Sequence, residues 1–393
     1  MGEGGQVKTA RRRSGAKRRL LVVGVVAAAL ALFATACGDD DDGTSAPTTE
    51  AGGGGDGGDA QAFVDALLER PTAIAQTEEF TGEVPEDKTI MWIQCPVTAC
   101  IQLEAPLKDA TDALGWTLVT VSHEGTPESV KAAYEQAVRE EPDGVISSGF
   151  PRAIFEVELE QLAEKDIPVV QITVTDEPVD GITAVVNGPG RNARVGEQLA
   201  NFVVADSGGA ANVLWVTTGF PILVPELEGL DGERGFEPTL SALCDACEVD
   251  VLDLPLEALG TDAPARTVAH LQANPDIDYV VGAFSDIVSA LPGSLEDAGI
   301  ADRVKVVTYT QNPALSAALE AGEVEAVIGF PGQENMWQAI DVLLRAFEGV
   351  DFETEWSDLP SWIITADNVP STTDEFPLVE DYQEQYLALW GVE

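Results

Sequence analysis

The chain has little with which to run chemistry. Of its 393 residues two are histidine and three methionine, and lysine plus arginine number 21 against 68 acidic residues. Neither His123 nor His270 stands in a metal-ligand pattern such as H-E-x-x-H. No G-x-S-x-G and no glycine-rich phosphate loop occurs, so the usual hydrolase and nucleotide-dependent signatures are missing. The expectation is a protein that is not an enzyme and uses no cofactor and no metal. A net charge of -47 repels phosphate backbones, which excludes nucleic acid as a partner. Long apolar runs are absent but for Leu20 to Phe33, short of the ~20 residues that span a bilayer comfortably.

That run belongs to a leader. Lys8, Arg11, Arg12, Arg13, Lys17, Arg18 and Arg19 precede it, and Ala34-Thr35-Ala36-Cys37 follow. A basic n-region, a short apolar core and small residues before a cut make a secretory signal. Ending in a cysteine, it resembles a bacterial lipoprotein signal, with Ala34 where that family usually has leucine. The resemblance implies that residues 1–36 are removed and that Cys37 is lipidated, anchoring the protein outside the cytoplasm, in contact with the membrane through lipid only. Arg18-Arg19 leaves both the general and the twin-arginine export routes open. Removing the seven basic residues and Glu3 ahead of Cys37 leaves 14 basic against 67 acidic residues, or -53. Residues 37–60 are Gly-, Asp-, Ser- and Thr-rich, cannot bury a core, and read as a disordered acidic tether.

Four cysteines remain in two close pairs, Cys95/Cys100 and Cys244/Cys247. A zinc site would need the pairs to converge, and "CPVTAC" lacks tight ligand spacing. "CDAC" ends a helical segment instead of starting one, unlike a thioredoxin-type couple. An exported chain meets an oxidising environment, so two local disulfides are expected.

From residue 88 the pattern alternates. Apolar β-rich runs such as "TIMWIQC", "GVISSG", "IPVVQITV", "ANVLWVTTG", "DYVVGAFS" and "VKVVTYT" are separated by helical segments such as "TPESVKAAYEQAVREE". In that segment Val130, Ala133, Tyr134 and Ala137 share a face, and Thr126-Pro127-Glu128 is a start signal. Continuous apolar strands alternating with helices predict α/β architecture with parallel, doubly wound sheets, in two blocks of about five strands each. Trp92 and Trp215 lie inside strands and read as core. Trp337 reads as core or rim.

Together, "EEPDGVISSG", "AEKDIPVVQITV", "LEGLDGERGFEPTLSAL", "ANPDIDYVVGAFSD" and "VKVVTYTQNPALSAALEAGEVEAVIGF" resemble, in order and spacing, the sugar-binding type I class of ABC-importer substrate-binding proteins. The resemblance implies that residues 61–393 form a bilobal solute-binding domain joined by a three-strand hinge. Lobe 1 would comprise about 85–188 and 331–358, and lobe 2 about 189–330 and 359–393. It implies a small-molecule ligand between the lobes, a permease and its ATPase as partners, and a monomer. A surface receptor of the same fold feeding a sensor kinase is the alternative.

Ligands of open parallel sheets bind beyond the strands' carboxyl ends. The candidate ligand-binding residues there are Pro96, Val97, Thr98, Ser147, Ser148, Phe150, Arg152, Thr173, Phe220, Ser285, Asp286, Thr310, Gln311 and Phe330. Phe150, Phe220 and Phe330 each stand in a Gly-Phe-Pro phrase, and each either faces the cleft or packs under a loop. Arg152 either meets an anionic group or is solvated. Where the family commonly has an Asp-Arg pair, this chain has Thr173-Val174. Ser285-Asp286 replaces Asn-Asp, Thr310 replaces an aspartate, and around Leu230 an arginine is missing although Arg234 is near. The ligand is expected to be sugar-like or a less hydroxylated or partly aromatic compound, and the loss of groups that grip hydroxyls points away from a simple pentose or hexose.

Overall fold

The computed structural model describes residues 57–392 apart from 175–178, 180, 219–223, 230, 231, 233 and 357. The predicted signal, tether residues 37–56, Cys37 and Phe220 therefore lie outside the described residues.

Helix α1 (Gly57–Asp65) is the first described element and leads to β1 (Thr89–Gln94). Helices α2 (Thr98–Gln102) and α3 (Glu104–Ala113), β2 (Thr117–Ser122), α4 (Pro127–Glu140), β3 (Gly144–Ser148), α5 (Glu156–Ala163), β4 (Val169–Ile172) and β5 (Ala184–Val186) complete the first block. The second contains α6 (Arg191–Ser207), β6 (Asn212–Thr218), α7 (Val224–Glu228), α8 (Phe236–Leu243), β7 (Glu248–Leu254), α9 (Ala263–Ala273) and β8 (Tyr279–Gly282). It continues with α10 (Ser285–Val288), α11 (Leu291–Asp297), β9 (Lys305–Tyr309), α12 (Pro313–Ala321) and β10 (Ala326–Ile328). Last come α13 (Gly332–Glu348), β11 (Glu355–Trp356), β12 (Ile363–Ile364) and α14 (Tyr382–Trp390).

Two six-stranded sheets result, ordered β11-β5-β4-β3-β1-β2 and β12-β10-β9-β8-β6-β7. All described pairings are parallel except β10 with β12. The strand core of each lobe is buried on both faces, as the continuous apolar runs require. Thr126 caps α4 as expected: its Oγ1 accepts from Ser129 N at 3.2 Å, Thr126 N donates to Ser129 Oγ, and Pro127 takes the first turn. Trp92 and Trp215 are buried, and so is Trp337, stacked on Trp390 with ring centroids 5.2 Å apart.

The lobes are joined at 187–190, 329–332 and 358–362, where the chain leaves one sheet for the other. Arg191, fully buried, holds the last of these. Its guanidinium donates to Leu359 O at 3.2 Å, Pro360 O at 3.0 Å and Ser361 Oγ at 2.6 Å.

Both ends of the chain also pass between lobes. Ala60 and Val64 of α1 pack on α6 in lobe 2, whereas Ile74 and Phe80 belong to the core of lobe 1. Residues 57–60, expected in the tether, are thus helical, with Ala60 buried. The tail corrects a second expectation. Phe376 and Leu378 pack in lobe 2, but Tyr382, Tyr386 and Trp390 join the core of lobe 1, so α14 belongs there and not with 359–381. Asp341 of α13 explains the docking: buried, it accepts from Arg345 Nε at 2.8 Å, Gln76 Nε2 at 2.8 Å and Trp390 Nε1 at 2.9 Å. A buried carboxylate is tolerated when its lone pairs are filled in this way.

Candidate functional site

The carboxyl ends of the two sheets face each other across a cleft with two adjoining compartments. Ala99, Leu103, Ser285, Asp286, Thr310 and Phe330 line both. The inner one, bounded also by Cys95, Val97, Cys100, Ser148, Gly149, Thr173, Phe284 and Tyr309, holds about 700 Å³ of empty space, its mouth included. The outer one, about 580 Å³ on the same measure, adds Thr98, Gln102, Gln311, Asn312, Gly332, Gln333, Glu375 and Phe376.

Lobe 1 contributes a stapled loop. The Cys95–Cys100 disulfide forms, with Cα atoms 5.6 Å apart, and turns the chain from β1 directly into α2. The Ser148 hydroxyl donates to Cys100 Sγ at 3.3 Å, since a disulfide sulfur has no hydrogen to give. The second pair, Cys244–Cys247, closes the turn between α8 and β7 at the far end of lobe 2.

Two threonines at strand ends adopt the left-handed region, Thr173 at φ 52° and Thr310 at φ 67°. For a β-branched residue this conformation costs energy and needs local bonds to hold it. Thr173 N donates to Val186 O at 2.9 Å and its Oγ1 accepts from Asn187 Nδ2 at 3.1 Å. Thr310 N donates to Ile328 O at 3.0 Å, while its Oγ1 donates to Ser285 Oγ at 2.6 Å and accepts from Ser285 N at 3.1 Å.

The other polar groups of the cleft are occupied in the same manner. Gln311 Nε2 donates to the carbonyls of Phe330 and Phe376, and its Oε1 accepts from Phe330 N at 2.8 Å. Asn312 Oδ1 caps α12 by accepting from Leu315 N, and its Nδ2 donates to Ser289 Oγ. Gln102 Nε2 donates to Glu375 Oε1 at 2.8 Å across the outer rim. Tyr309 turns its hydroxyl toward Asn187 and Arg191 at the hinge, and burial pushes that phenol up to about 12. Asp286, half-buried, has no hydrogen-bond or ion-pair partner among the described residues, and desolvation raises its carboxyl above the usual range. No lysine or arginine is among the described residues lining either compartment.

Of the residues singled out from sequence, Val97, Thr98, Ser148, Thr173, Ser285, Asp286, Thr310, Gln311 and Phe330 come together here. Phe330 meets Tyr309 edge-on at 5.9 Å. Four do not line the cleft. Ser147 points to the opposite face of its strand and accepts from Tyr134 Oη at 2.5 Å, because successive strand residues alternate sides. Phe150 is buried under a loop, edge-on to His123 at 5.1 Å. Pro96 is exposed and lies over Gly125. Arg152 opens the short turn Arg152–Ile154. Arg234 binds Glu197 through two donors at 2.6 and 2.7 Å, away from the cleft. Leu103, Phe284, Tyr309, Glu375 and Phe376 also line the cleft without having been named as ligand contacts, and the last two arrive on the C-terminal pass with no periodic signal.

A family model described as "Periplasmic binding protein domain" matches residues 98–351. No curated protein matches by sequence. Among solved structures, the glucose-galactose binding protein GanP of Geobacillus stearothermophilus aligns at a TM-score of 0.63 and 18% identity, covering 73% of this chain and 100% of that one. An ABC transporter solute-binding protein of Burkholderia graminis, solved with D-arabinose, gives 0.65 and 17%, covering 74% and 99%. XylFII in the XylFII-LytSN complex gives 0.62 and 18%, covering 72% and 100%. At these identities the likeness concerns the fold. Among the described residues no helix is long and apolar enough to cross a membrane.

Proposed function

The chain belongs to the periplasmic binding protein domain family and has its type I fold, and from that premise we propose that it is an extracytoplasmic solute-binding lipoprotein of an ABC importer. It captures one small molecule between its lobes, closes over it by hinge motion, and presents the closed form to a permease and its ATPase. The lipid on Cys37 and the tether hold a monomeric domain at the membrane surface. The reading is carried by one observation: the cleft lies between two lobes, at the carboxyl ends of both sheets, and its described lining contains no nucleophile–base pair. The cargo is less hydroxylated than a pentose or hexose, because the polar side chains of the cleft are mostly engaged by other groups of the protein. Binding to the native state raises its melting temperature. A thermal-shift screen of the mature protein across sugars, polyols, amines and aromatic acids therefore identifies the class. Recovery of the solute chemically unchanged is the expected result, and turnover would sink the proposal.

The neighbour solved as a complex with LytSN favours a second reading, a surface receptor that feeds a sensor kinase. Genes for a permease and an ATPase beside this one support import; a kinase gene in their place supports sensing.

A further inference from the structure

Asp286 is anomalous in its setting. It stands in the first turn of α10, yet no side chain caps that helix, and its carboxylate touches both compartments without a partner among the described residues. Its oxygens face the open cleft, where a cationic donor brought in by a solute can replace the water on them. Its surroundings narrow the choice. Phe330, Phe284, Leu103 and Val97 wall the space beside it. The neighbouring Thr310 spends its proton on Ser285 Oγ, which leaves the Ser285 hydroxyl as the single free side-chain donor among the residues named here.

We propose that Asp286 sets the specificity of the cleft, and that the solute it selects carries one ammonium group on a compact apolar body. The proposal rests on the solute-binding reading above. The carboxylate supplies the counter-charge, the Phe330 ring offers its face to the cation, and the apolar body replaces water against the remaining walls. Anions are excluded by the same carboxylate. Sugars are disfavoured because their several hydroxyls find few open acceptors or donors.

The test uses the mature protein and matched probes that differ only in the polar group: benzylamine, benzyl alcohol and benzoate, then cyclohexylmethylamine, cyclohexylmethanol and cyclohexanecarboxylate, with D-galactose and D-arabinose alongside. At least one amine should raise the melting temperature and bind at least tenfold tighter than its alcohol by calorimetry, while its carboxylate does not bind. In Asp286→Asn the amine should fall to the affinity of the alcohol. The alcohol should be unaffected, and the unliganded melting temperature should stay at or above that of the wild type. Binding by none of the amines, or an amine advantage that survives in Asp286→Asn, overturns the proposal. If sugars, alcohols or carboxylates bind instead, this inference fails and the solute-binding reading stands. If no probe of any class binds, both fail.

Discussion

Glu334 makes stability depend on pH in a direction opposite to that of an ordinary salt-bridged carboxylate. It lies in the first turn of α13, at the 329–332 connection, and is 2% exposed. One carboxyl oxygen accepts from Val379 N at 2.8 Å, which ties the C-terminal pass to the helix. The other has no partner among the described residues. Burial pushes the group from 4.5 up to about 7, against weaker pulls from backbone donors and Arg70. Between those two values the folded protein holds a proton that the unfolded chain has released. The stabilisation is complete below about pH 4.5, declines as pH rises, and is gone above about pH 7. The gap corresponds to roughly 3 kcal/mol. Other carboxylates respond to pH as well, so the informative quantity is the difference between wild type and Glu334→Gln, which mimics the protonated form and keeps an oxygen for Val379. Urea denaturation from about pH 5 to about pH 8 should show the variant gaining on the wild type by roughly 2.5 kcal/mol. A difference that stays flat across that range would refute the assignment.

Two further changes probe the cleft. Replacing Cys95 and Cys100 together by serine opens a six-residue loop, and chain entropy alone predicts a loss of about 2 kcal/mol in stability, read by urea denaturation. Solute affinity should fall too, because the loop after β1 then has to be ordered on binding. A Cβ at Gly332 would come within 2.7 Å of Phe330 Cε1 and 2.9 Å of Leu103 Cδ2. Gly332→Ala should therefore push those two side chains into the outer compartment and weaken binding of any solute the wild type takes up. Calorimetry should register the loss even where the melting temperature holds.

Much of the fold was legible because parallel strands buried on both faces write themselves as unbroken apolar runs. Eight of the ten longer strands stand where such runs occur, the edge strands β2 and β7 are mixed in polarity and only partly buried, and Thr126-Pro127 marked its helix start. The two-residue strands β11 and β12 were not legible, since two residues carry no period. Helices α1 and α14 were missed for another reason: their places are decided by distant partners, Ala60 and Val64 on α6 and Trp390 on Trp337 and Asp341. In the cleft, strand ends identified the right loops but not the facing of each side chain. Ser147 and Ser148 are adjacent on one strand and point to opposite sides. Phe330 and Phe150 share a Gly-Phe-Pro phrase and differ in exposure to the cleft because Phe150 has His123 to pack against.

The terminal passes change what the hinge is. Three connections alone would leave lobe closure resisted only by their own backbone, but here 66–74 and 365–381 run alongside them. Ile363 N donates to Leu67 O at 2.8 Å, and the Leu68 carbonyl accepts from both Trp362 Nε1 at 3.1 Å and Asn368 Nδ2 at 2.9 Å. Arg70 donates to Pro377 O and Leu378 O, each at 3.0 Å, and pairs with Glu380. The N-terminal strap thus laces the 358–362 connection to the C-terminal pass. Deleting residues 57–73 uncovers the α6 surface under Ala60 and Val64 and strips acceptors from Trp362 and Asn368. Lost apolar burial of that size, with donors left to find water, amounts to about 2–4 kcal/mol. If the strap also restrains opening, the truncated protein should gain conformers with a larger radius of gyration in small-angle scattering, beyond any loss of stability. A truncated protein that is destabilised yet scatters like the full domain would show that α1 only covers lobe 2 and that the hinge consists of the three inner connections.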